Sequence, residues 1–470
     1  MKKFHIQTLG CKVNQYESDG IGSTLENSGW IKGGKNEICD VFIVNTCAVT
    51  SKASMQSRQA IRKIMRENPK ARVIVTGCHA QTDPEEIKKI DPFIDHADKT
   101  VAEQIHTPIN KSIHEPIHKG HPIHIIGHQD KTKIADNIDL ICDNKASIKF
   151  KNTNFSDSNT FKGFDHAVKG SMTRAYLKIQ DGCEAFCTYC IVPFARGSYV
   201  SMPESKVLKH LRELNGSGFK EVILTGIHTG MYGVDFKNKT TLFKLLEKIN
   251  IKKPVHRIRL SSIEPGEINE DIINLATKEN ILCDHFHVPL QSGDSDILKK
   301  MKRPYDADLF ENIIWKINKK LPFAGIGVDT LIGFPGETQK QFENTYNLIE
   351  KLPVSYLHVF PFSARKGTPA FHFAKKVDPS IIKERCSQMR KLDQIKRKKF
   401  IKKNVNQKLE ALVQHKSDKQ SGMLKSVTSN YLNVFLNKRD NLKGKIINLK
   451  IQIDQYNRKS KMPVTGKVIE

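Results

Sequence analysis

The sequence predicts a multidomain α/β protein. The prediction is an N-terminal open parallel α/β sheet, a central partial (β/α)6 barrel and a small C-terminal antiparallel β-barrel. Short apolar strands alternate with helical segments in the first hundred residues and again over residues 175–360, a pattern typical of parallel sheets. The end of the chain has short alternating runs separated by turn residues, which is typical of a small barrel. A chain of 470 residues has room for several such domains.

The N-terminal domain is predicted over residues 1–105, with strands at residues 4–9, 41–45 and 72–76 and a helix at residues 53–67. Each strand is followed by one cysteine of a set called here the N-terminal triad: Cys11, Cys47 and Cys78. Ligands collect at the carboxyl ends of parallel strands, so we expect the three thiols to converge. We interpret them as ligands of an iron–sulfur cluster; the alternative is that they are small buried hydrophobic residues.

Residues 106–170 form an insert in which the composition shifts to His, Asn, Lys and Ser. Its histidines are compatible with metal binding, but a polar, partly extended linker between domains is the favoured interpretation.

The central domain is predicted over residues 171–403. Its strands lie at residues 175–179, 221–225, 257–260, 285–289, 326–332 and 356–360, and a basic helix lies at residues 391–403. Six strand–helix units fit an open barrel rather than a closed one of eight. In such barrels the chemistry takes place on the loops that follow the strands.

The loop after the first barrel strand carries the central triad, Cys183, Cys187 and Cys190, and has no fourth cysteine. A structural zinc site and a simple iron–sulfur carrier both require four protein ligands. Three thiolates hold three corners of a 4Fe–4S cube and leave one iron open to a small chelating molecule. The alternative is a zinc knuckle with a distant fourth ligand.

The charge of the chain favours a polyanionic partner such as nucleic acid: 76 Lys and Arg stand against 50 Asp and Glu. Residues 402–470 hold 15 basic and 5 acidic residues, so the C-terminal domain, residues 404–470, is predicted to bind nucleic acid. No membrane span or signal peptide is expected, and a cytoplasmic location is predicted. Ten cysteines in a reducing compartment indicate cluster or metal ligands.

Over nearly its whole length except the insert, the chain resembles the methylthiotransferases of the radical S-adenosylmethionine superfamily. The motifs are Gly10-Cys11-Lys12-Val13-Asn14, Asn45-Thr46-Cys47, Gly77-Cys78, the central triad and Pro289-Leu290-Gln291-Ser292-Gly293. The resemblance implies a methylthiotransferase domain, a radical domain and a TRAM domain. It also implies two 4Fe–4S clusters, one on each triad, and S-adenosylmethionine.

One loop points to a branch of the family. Residues 224–233, Leu-Thr-Gly-Ile-His-Thr-Gly-Met-Tyr-Gly, resemble the enzymes that act on N6-threonylcarbamoyladenosine in tRNA. This implies methylthiolation of carbon 2 of that base at position 37, with the tRNA anticodon stem-loop and an electron donor such as flavodoxin or ferredoxin as partners. The source of the sulfur stays open. The alternatives are isopentenyladenosine in tRNA, a ribosomal-protein aspartate, or a non-catalytic two-cluster electron-transfer protein.

The resemblance also implies that residues on the loops after the barrel strands bind S-adenosylmethionine. No catalytic side chain beyond the cluster ligands is assigned, because the inert aromatic C–H bond leaves the chemistry to cofactors. The candidates for cofactor binding are Tyr189, Gly226, His228, Ser262, Glu264 and Gln291.

Overall fold

The computed structural model describes residues 1–34, 36–90, 123–142, 160–170, 172–277, 281–437, 440–453 and 464–469. The chain divides into two compact units. The first contains residues 1–164 and 191–198, and the second contains residues 165–190 and 199–470. Over the residues described, no helix combines the length and apolar character needed to cross a membrane.

The first unit is built on a five-stranded, all-parallel sheet with strand order β2-β1-β3-β4-β5. The two central strands are buried along their whole length, which explains their continuous apolar sequences. The prediction of an open parallel N-terminal sheet is therefore confirmed. The strands are β1 Lys3–Thr8, β2 Ile31–Lys32, β3 Val41–Thr46, β4 Arg72–Gly77 and β5 Ile123–Ile125. The helices are α1 Lys12–Asn27, α2 Ser51–Glu67, α3 Cys78–Thr82, α4 Pro84–Lys88, α5 Ile134–Cys142 and α6 Val192–Arg196.

Part of the insert belongs to this first unit. Strand β5 pairs with β4 in the sheet, and α5 buries four of its side chains. A polar linker does not describe this stretch, because Ile134, Ile138 and Ile141 lie on one buried face at helical spacing. Residues 160–170 of the expected linker form no helix or strand, and residues 106–122 and 143–159 lie outside the described residues.

The second unit contains a half-barrel of six parallel strands. Two three-stranded sheets, β10-β9-β6 and β11-β12-β13, are joined by parallel bridges between Ile258 and Leu282 and between Ser262 and His287. The predicted partial (β/α)6 barrel is therefore confirmed. The strands, with the short antiparallel pair β7 and β8, are β6 Ala175–Lys178, β7 Gln180–Asp181, β8 Val200–Ser201, β9 Glu221–Thr225, β10 Arg257–Leu260, β11 His285–His287, β12 Gly325–Ile332 and β13 Tyr356–Pro361.

Helices connect the strands of the half-barrel, and several begin at a capping side chain. The side chains of Asp294, Asp306 and Thr338 each accept a hydrogen bond from a backbone N–H in the first turn of the helix that follows. The predicted basic helix lies within α13. The helices are α7 Glu204–Gly216, α8 Leu242–Lys252, α9 Glu270–Asn274, α10 Ser295–Lys300, α11 Ala307–Lys320, α12 Gln339–Lys351 and α13 Pro379–Asn404.

The C-terminal part of the chain is a small closed barrel with strand order β14-β15-β16-β18-β17. Its pairs are antiparallel except β16 with β18, which are parallel. The predicted small C-terminal barrel is therefore confirmed, and it lies in the same compact unit as the half-barrel. The strands are β14 Lys408–Ser417, β15 Leu424–Thr428, β16 Asn433–Leu436, β17 Ile446–Ile453 and β18 Val464–Ile469.

Candidate functional site

The N-terminal triad lies at the carboxyl edge of three neighbouring parallel strands. Cys47 and Cys78 directly follow β3 and β4, and Cys11 is the third residue after β1. Cys11 is exposed, whereas the other two are buried. Burial and the neighbouring Cys78 and Cys11 thiols raise the pKa of Cys47 to about 11. Burial and mutual repulsion make it costly to deprotonate these thiols, and a bound metal cluster offsets that cost by neutralising the thiolates. The donor set therefore fits three corners of a 4Fe–4S cluster.

One side chain joins the segments that precede Cys11 and Cys47. The Asn14 Nδ2 group donates hydrogen bonds to the carbonyl oxygens of Leu9 (2.7 Å) and Thr46 (3.0 Å), just before Cys11 and Cys47. Asn14 itself is almost completely buried. In the sequence, Asn14 stands out only as part of the motif at residues 10–14; the fold shows that it joins two cysteine-bearing segments.

A buried cation also contacts the N-terminal triad. Arg196, the last residue of α6, donates from Nε to Cys78 Sγ at 3.4 Å. Its Nη1 donates to Glu17 Oε1 at 2.8 Å and its Nη2 to Asn14 Oδ1 at 2.6 Å. Lys131 donates to the other Glu17 oxygen at 2.7 Å. Sequence reasoning missed Arg196, Glu17 and Lys131, because they are far apart along the chain.

The central triad lies on the loop after β6 and β7, as predicted. A turn closes between Cys187 and Cys190, where the Cys190 N–H donates to the Cys187 carbonyl at 2.9 Å. Thr188 anchors the loop, since its N–H donates to Met301 O at 3.1 Å and its carbonyl accepts from the Ala370 N–H at 2.8 Å. The loop therefore presents its thiols from a fixed backbone.

His228 is next to the first cysteine of the central triad. Its Nδ1 lies 3.5 Å from Cys183 Sγ, and its Nε2 lies 2.5 Å from Glu267 Oε1. Burial disfavours the charged ring, but the hydrogen bonds to Cys183 and Glu267 outweigh it and raise the pKa of His228 to about 10. A Cβ at Gly230 would clash with the Glu267 carboxyl group, so this glycine makes room for the pair.

Arg303 is next to the second cysteine of the central triad. Its Nη1 donates to Cys187 Sγ at 3.1 Å, its Nη2 donates to the Glu264 carboxylate, and its Nε donates to Tyr305 at 3.0 Å. Burial raises the pKa of the Cys187 thiol, and Arg303 acts in the opposite direction. Arg303 was not predicted. It connects the predicted Glu264 to the triad.

The remaining predicted cofactor contacts also lie at the carboxyl ends of the barrel strands. Gly226 follows β9 against Gln180, and Ser262 is exposed after β10. Gln291 has a left-handed φ of 64° and bridges to Thr330. Tyr189 instead packs against an apolar cluster formed by Ile297, Met301, Phe334 and Ala370. Of the six candidates, His228 is in direct contact with a triad thiol and Glu264 is linked to one through Arg303.

A second polar network lies on β11, β12 and β13. Asp329 Oδ1 is 2.9 Å from His287 Nε2 and 3.1 Å from His358 Nδ1. Tyr356 OH is 3.2 Å from His287 Nδ1 and 2.8 Å from His285 Nε2. The two rings that flank Asp329 hold the pKa of its carboxyl group well below the usual range, despite burial. Sequence reasoning did not predict this network.

Family models match both the N-terminal sheet and the half-barrel. Residues 3–97 match the model of "Uncharacterized protein family UPF0004", and residues 177–349 match that of the radical SAM superfamily. Among solved structures, the radical S-adenosylmethionine methyltransferase TsrM from Kitasatospora setae aligns with a TM-score of 0.56 over 79% of this chain and 77% of that chain. Its identity of 13% limits this likeness to the fold.

The half-barrel and its three-cysteine loop define a radical S-adenosylmethionine enzyme. Curated relatives match nearly the full chain. The threonylcarbamoyladenosine tRNA methylthiotransferase MtaB of Bacillus subtilis is 35% identical over 95% of this chain and 93% of its own. That of Aquifex aeolicus is 32% identical over 96% and 100%. The tRNA-2-methylthio-N(6)-dimethylallyladenosine synthase of Clostridium botulinum is 30% identical over 96% and 94%. The chain therefore belongs to the radical S-adenosylmethionine methylthiotransferase family, as its motifs predicted, and its cofactors are S-adenosylmethionine and two 4Fe–4S clusters.

Proposed function

We propose that this enzyme methylthiolates carbon 2 of N6-threonylcarbamoyladenosine at position 37 of tRNA. The observation that carries the proposal is the pair of cysteine triads, each at the carboxyl ends of parallel strands. The loop at residues 224–233 and the relatives named MtaB support the threonylcarbamoyl substrate over the dimethylallyl one. The product is the 2-methylthio derivative of the same nucleoside.

Cys11, Cys47 and Cys78 hold one cluster in this proposal, and the central triad holds the other. When bound, the central cluster and S-adenosylmethionine would supply a radical able to break the C2–H bond, and the N-terminal cluster would hold the sulfur that ends up on the base. The protein's task is to hold both sets of thiolates and to keep charge balanced around them.

Two side chains balance charge at the central triad. His228, protonated at neutral pH and held by Glu267, is adjacent to Cys183, and Arg303, held by Glu264, is adjacent to Cys187. Both cations are buried, so their fields act on the thiolates with little screening. The residues that contact S-adenosylmethionine are proposed to be Tyr189, Gly226, His228, Ser262, Glu264 and Gln291.

In this proposal, the small C-terminal barrel binds the tRNA. Its basic surplus supports binding to the phosphates of the anticodon stem-loop. Electrons come from a small protein donor of the flavodoxin or ferredoxin type. Since tRNA is processed in the cytoplasm, the enzyme acts there.

The test is anaerobic reconstitution with iron and sulfide, followed by incubation with S-adenosylmethionine, dithionite and tRNA carrying threonylcarbamoyladenosine. Mass spectrometry of the nucleosides should show the gain of one methylthio group. Cys183→Ala and Cys47→Ala should abolish the product. Cys386→Ala, which changes a buried cysteine of α13 outside both triads, should retain it.

A parallel reaction with tRNA carrying dimethylallyladenosine distinguishes the two substrates. This alternative is tested because the Clostridium botulinum relatives carry that name. Methylthiolation of the dimethylallyl nucleoside alone would refute the proposed branch. The absence of 5′-deoxyadenosine from a sample with full iron and sulfide content would refute the enzyme assignment as a whole.

A further inference from the structure

We propose that Arg196 is a positioning residue that sets the reduction potential of the N-terminal cluster. The inference rests on the proposed assignment of Cys11, Cys47 and Cys78 as the ligands of that cluster. The Arg196 side chain is completely buried in the first unit, six positions after Cys190 in the sequence. Burying an arginine removes its hydration at a large free-energy cost, which hydrogen bonds and ion pairs with specific partners must offset.

The partners of Arg196 join the three cysteine loops. Its Nε donates to Cys78 Sγ at 3.4 Å, and its Nη2 donates to Asn14 Oδ1 at 2.6 Å. Asn14 in turn bonds the backbone oxygens of Leu9 and Thr46, which precede the other two cysteines. The Arg196 guanidinium therefore contacts the Cys78 sulfur directly, and it is linked to the loops of Cys11 and Cys47 through Asn14. A lysine ammonium has no planar fork with which to make the same set of bonds.

Arg196 and Lys131 are both buried cations, and both bond the Glu17 carboxylate. All three side chains are at most 3% exposed. A cluster core with three thiolate ligands is anionic and gains a further negative charge on reduction. The positive charge of the guanidinium beside Cys78 Sγ and its N–H···S bond both favour the reduced state, and hydrogen bonds to cluster sulfurs are a known determinant of potential.

The experiment separates the hydrogen bond from the charge. The background is the full chain with Cys183, Cys187 and Cys190 all changed to Ala, so that only the N-terminal cluster can form. Each reconstituted variant is titrated with dithionite, and the reduced cluster is quantified by electron paramagnetic resonance at measured solution potentials. Arg196→Gln removes one positive charge and the bond to sulfur. Lys131→Met removes one positive charge and leaves that bond in place.

Arg196→Gln should lower the ratio of reduced to oxidised cluster about tenfold at a given potential, which equals about 59 mV for a one-electron couple. Lys131→Met should produce a clearly smaller change. Equal shifts in the two variants, or no shift in Arg196→Gln, would overturn the inference.

Arg196→Lys gives a second measurement if Arg196→Gln does not take up iron. It keeps the charge, so it should load the cluster and shift the ratio by less than the glutamine variant. A ratio unchanged from the parent would overturn the proposed role. If the parent itself holds no iron, the ligand assignment fails and this inference fails with it, a result distinct from an intact cluster with an unchanged potential.

Discussion

At the residue scale, the central triad depends on side chains from distant parts of the chain. Arg303 is 116 positions from Cys187, and His228 is 45 positions from Cys183. Each cation has its own carboxylate, so each holds its orientation before any cofactor binds. Such charge-assisted contacts are stronger than neutral ones and fix geometry as well as charge.

Substitution of Arg303 tests whether its contact with Cys187 is needed for cleavage of S-adenosylmethionine. Arg303→Met leaves Glu264 as a buried carboxylate without its partner, a change that costs about 3–5 kcal/mol in comparable pairs. We expect loss of 5′-deoxyadenosine formation by at least tenfold, together with a lower melting temperature. Arg212→Met, on the exposed face of α7, is the control and should leave both unchanged. Full cleavage of S-adenosylmethionine by Arg303→Met would contradict the assignment.

Asp329 gives a pH-dependent prediction. His287 and His358 hold the pKa of Asp329 below its ordinary value, so its contribution to stability is present above about pH 4 and is lost as the pH falls further. Asp329→Asn should therefore reduce the free energy of unfolding at pH 7, and the difference from the parent should shrink toward pH 3. Urea titrations at several pH values measure this difference. Asp296→Asn, exposed in the first turn of α10, should have a small effect at every pH.

At the element scale, the strand β4 can bring Cys78 close to Cys47 because it ends in glycine. Gly77 has a φ of 97°, and a Cβ there would lie 2.4 Å from Thr46 O and 2.5 Å from Thr46 N. The next residue is Cys78, so any shift of this backbone moves a proposed ligand.

Gly77→Ala should therefore empty the N-terminal site. We expect about half of the iron of the parent enzyme, with 5′-deoxyadenosine formation retained and methylthiolation lost. Gly29→Ala is the matched control, because Gly29 also has a positive φ (85°) but a Cβ there meets no atom within 4 Å. Iron and sulfide analysis after reconstitution measures the effect. Full iron content in Gly77→Ala would contradict the role given to this glycine.

The C-terminal barrel carries a row of lysines across three adjacent strands. Lys450 of β17 is directly opposite Lys408 of β14 on one side and Lys467 of β18 on the other. All three are exposed. Like charges in directly opposed positions destabilise a sheet, so the row lowers the stability of the free barrel. The same three positive charges attract a bound anion.

Lys450→Gln should accordingly stabilise the barrel by about 0.2–1 kcal/mol and weaken tRNA binding. The slope of log K against log salt should fall by about 0.9 if Lys450 contacts one phosphate. Lys419→Gln, in the same barrel but outside the row, is the control for general charge. An unchanged slope for Lys450→Gln would show that the row does not face the RNA.

At the scale of the whole molecule, a buried ionic cluster joins the small barrel to the half-barrel. Glu221 on β9 lies between Arg257 and Arg259 on β10, and these arginines donate to the carbonyl oxygens of Val427 and Thr428. The two arginines outweigh burial and hold the pKa of Glu221 well below its usual range. This junction accounts for the grouping of the small barrel and the half-barrel in one compact unit.

Glu221→Gln should loosen the junction, because two buried guanidinium groups lose their shared carboxylate. We expect a loss of about 3–5 kcal/mol in the free energy of unfolding and faster proteolysis near residue 405. Glu410→Gln, whose partly exposed carboxylate pairs with Arg257, should cost less. Differential scanning calorimetry and limited trypsin digestion measure the two effects. A melting temperature equal to that of the parent would contradict the role of Glu221.

Much of the fold could be predicted because its signals are local. Strands β9 and β10 have the predicted bounds, since a short apolar run (β9) or a short alternating run (β10) between turn residues has few alternatives. Strand β5 was missed because three residues give almost no periodic signal. Helix α5 was missed because its apolar face is hidden in a segment of polar composition.

The sequence by itself determined the fold class, the two cysteine triads and the family, because strand periodicity and cysteine spacing are properties of short stretches. Only the tertiary structure decided which charges reach the thiols. Arg196 meets Glu17 across 179 positions of sequence, and Arg303 meets Cys187 across 116. No local pattern marks such pairs, because the two residues are distant in sequence. They become neighbours, and become buried together, only after the chain has folded.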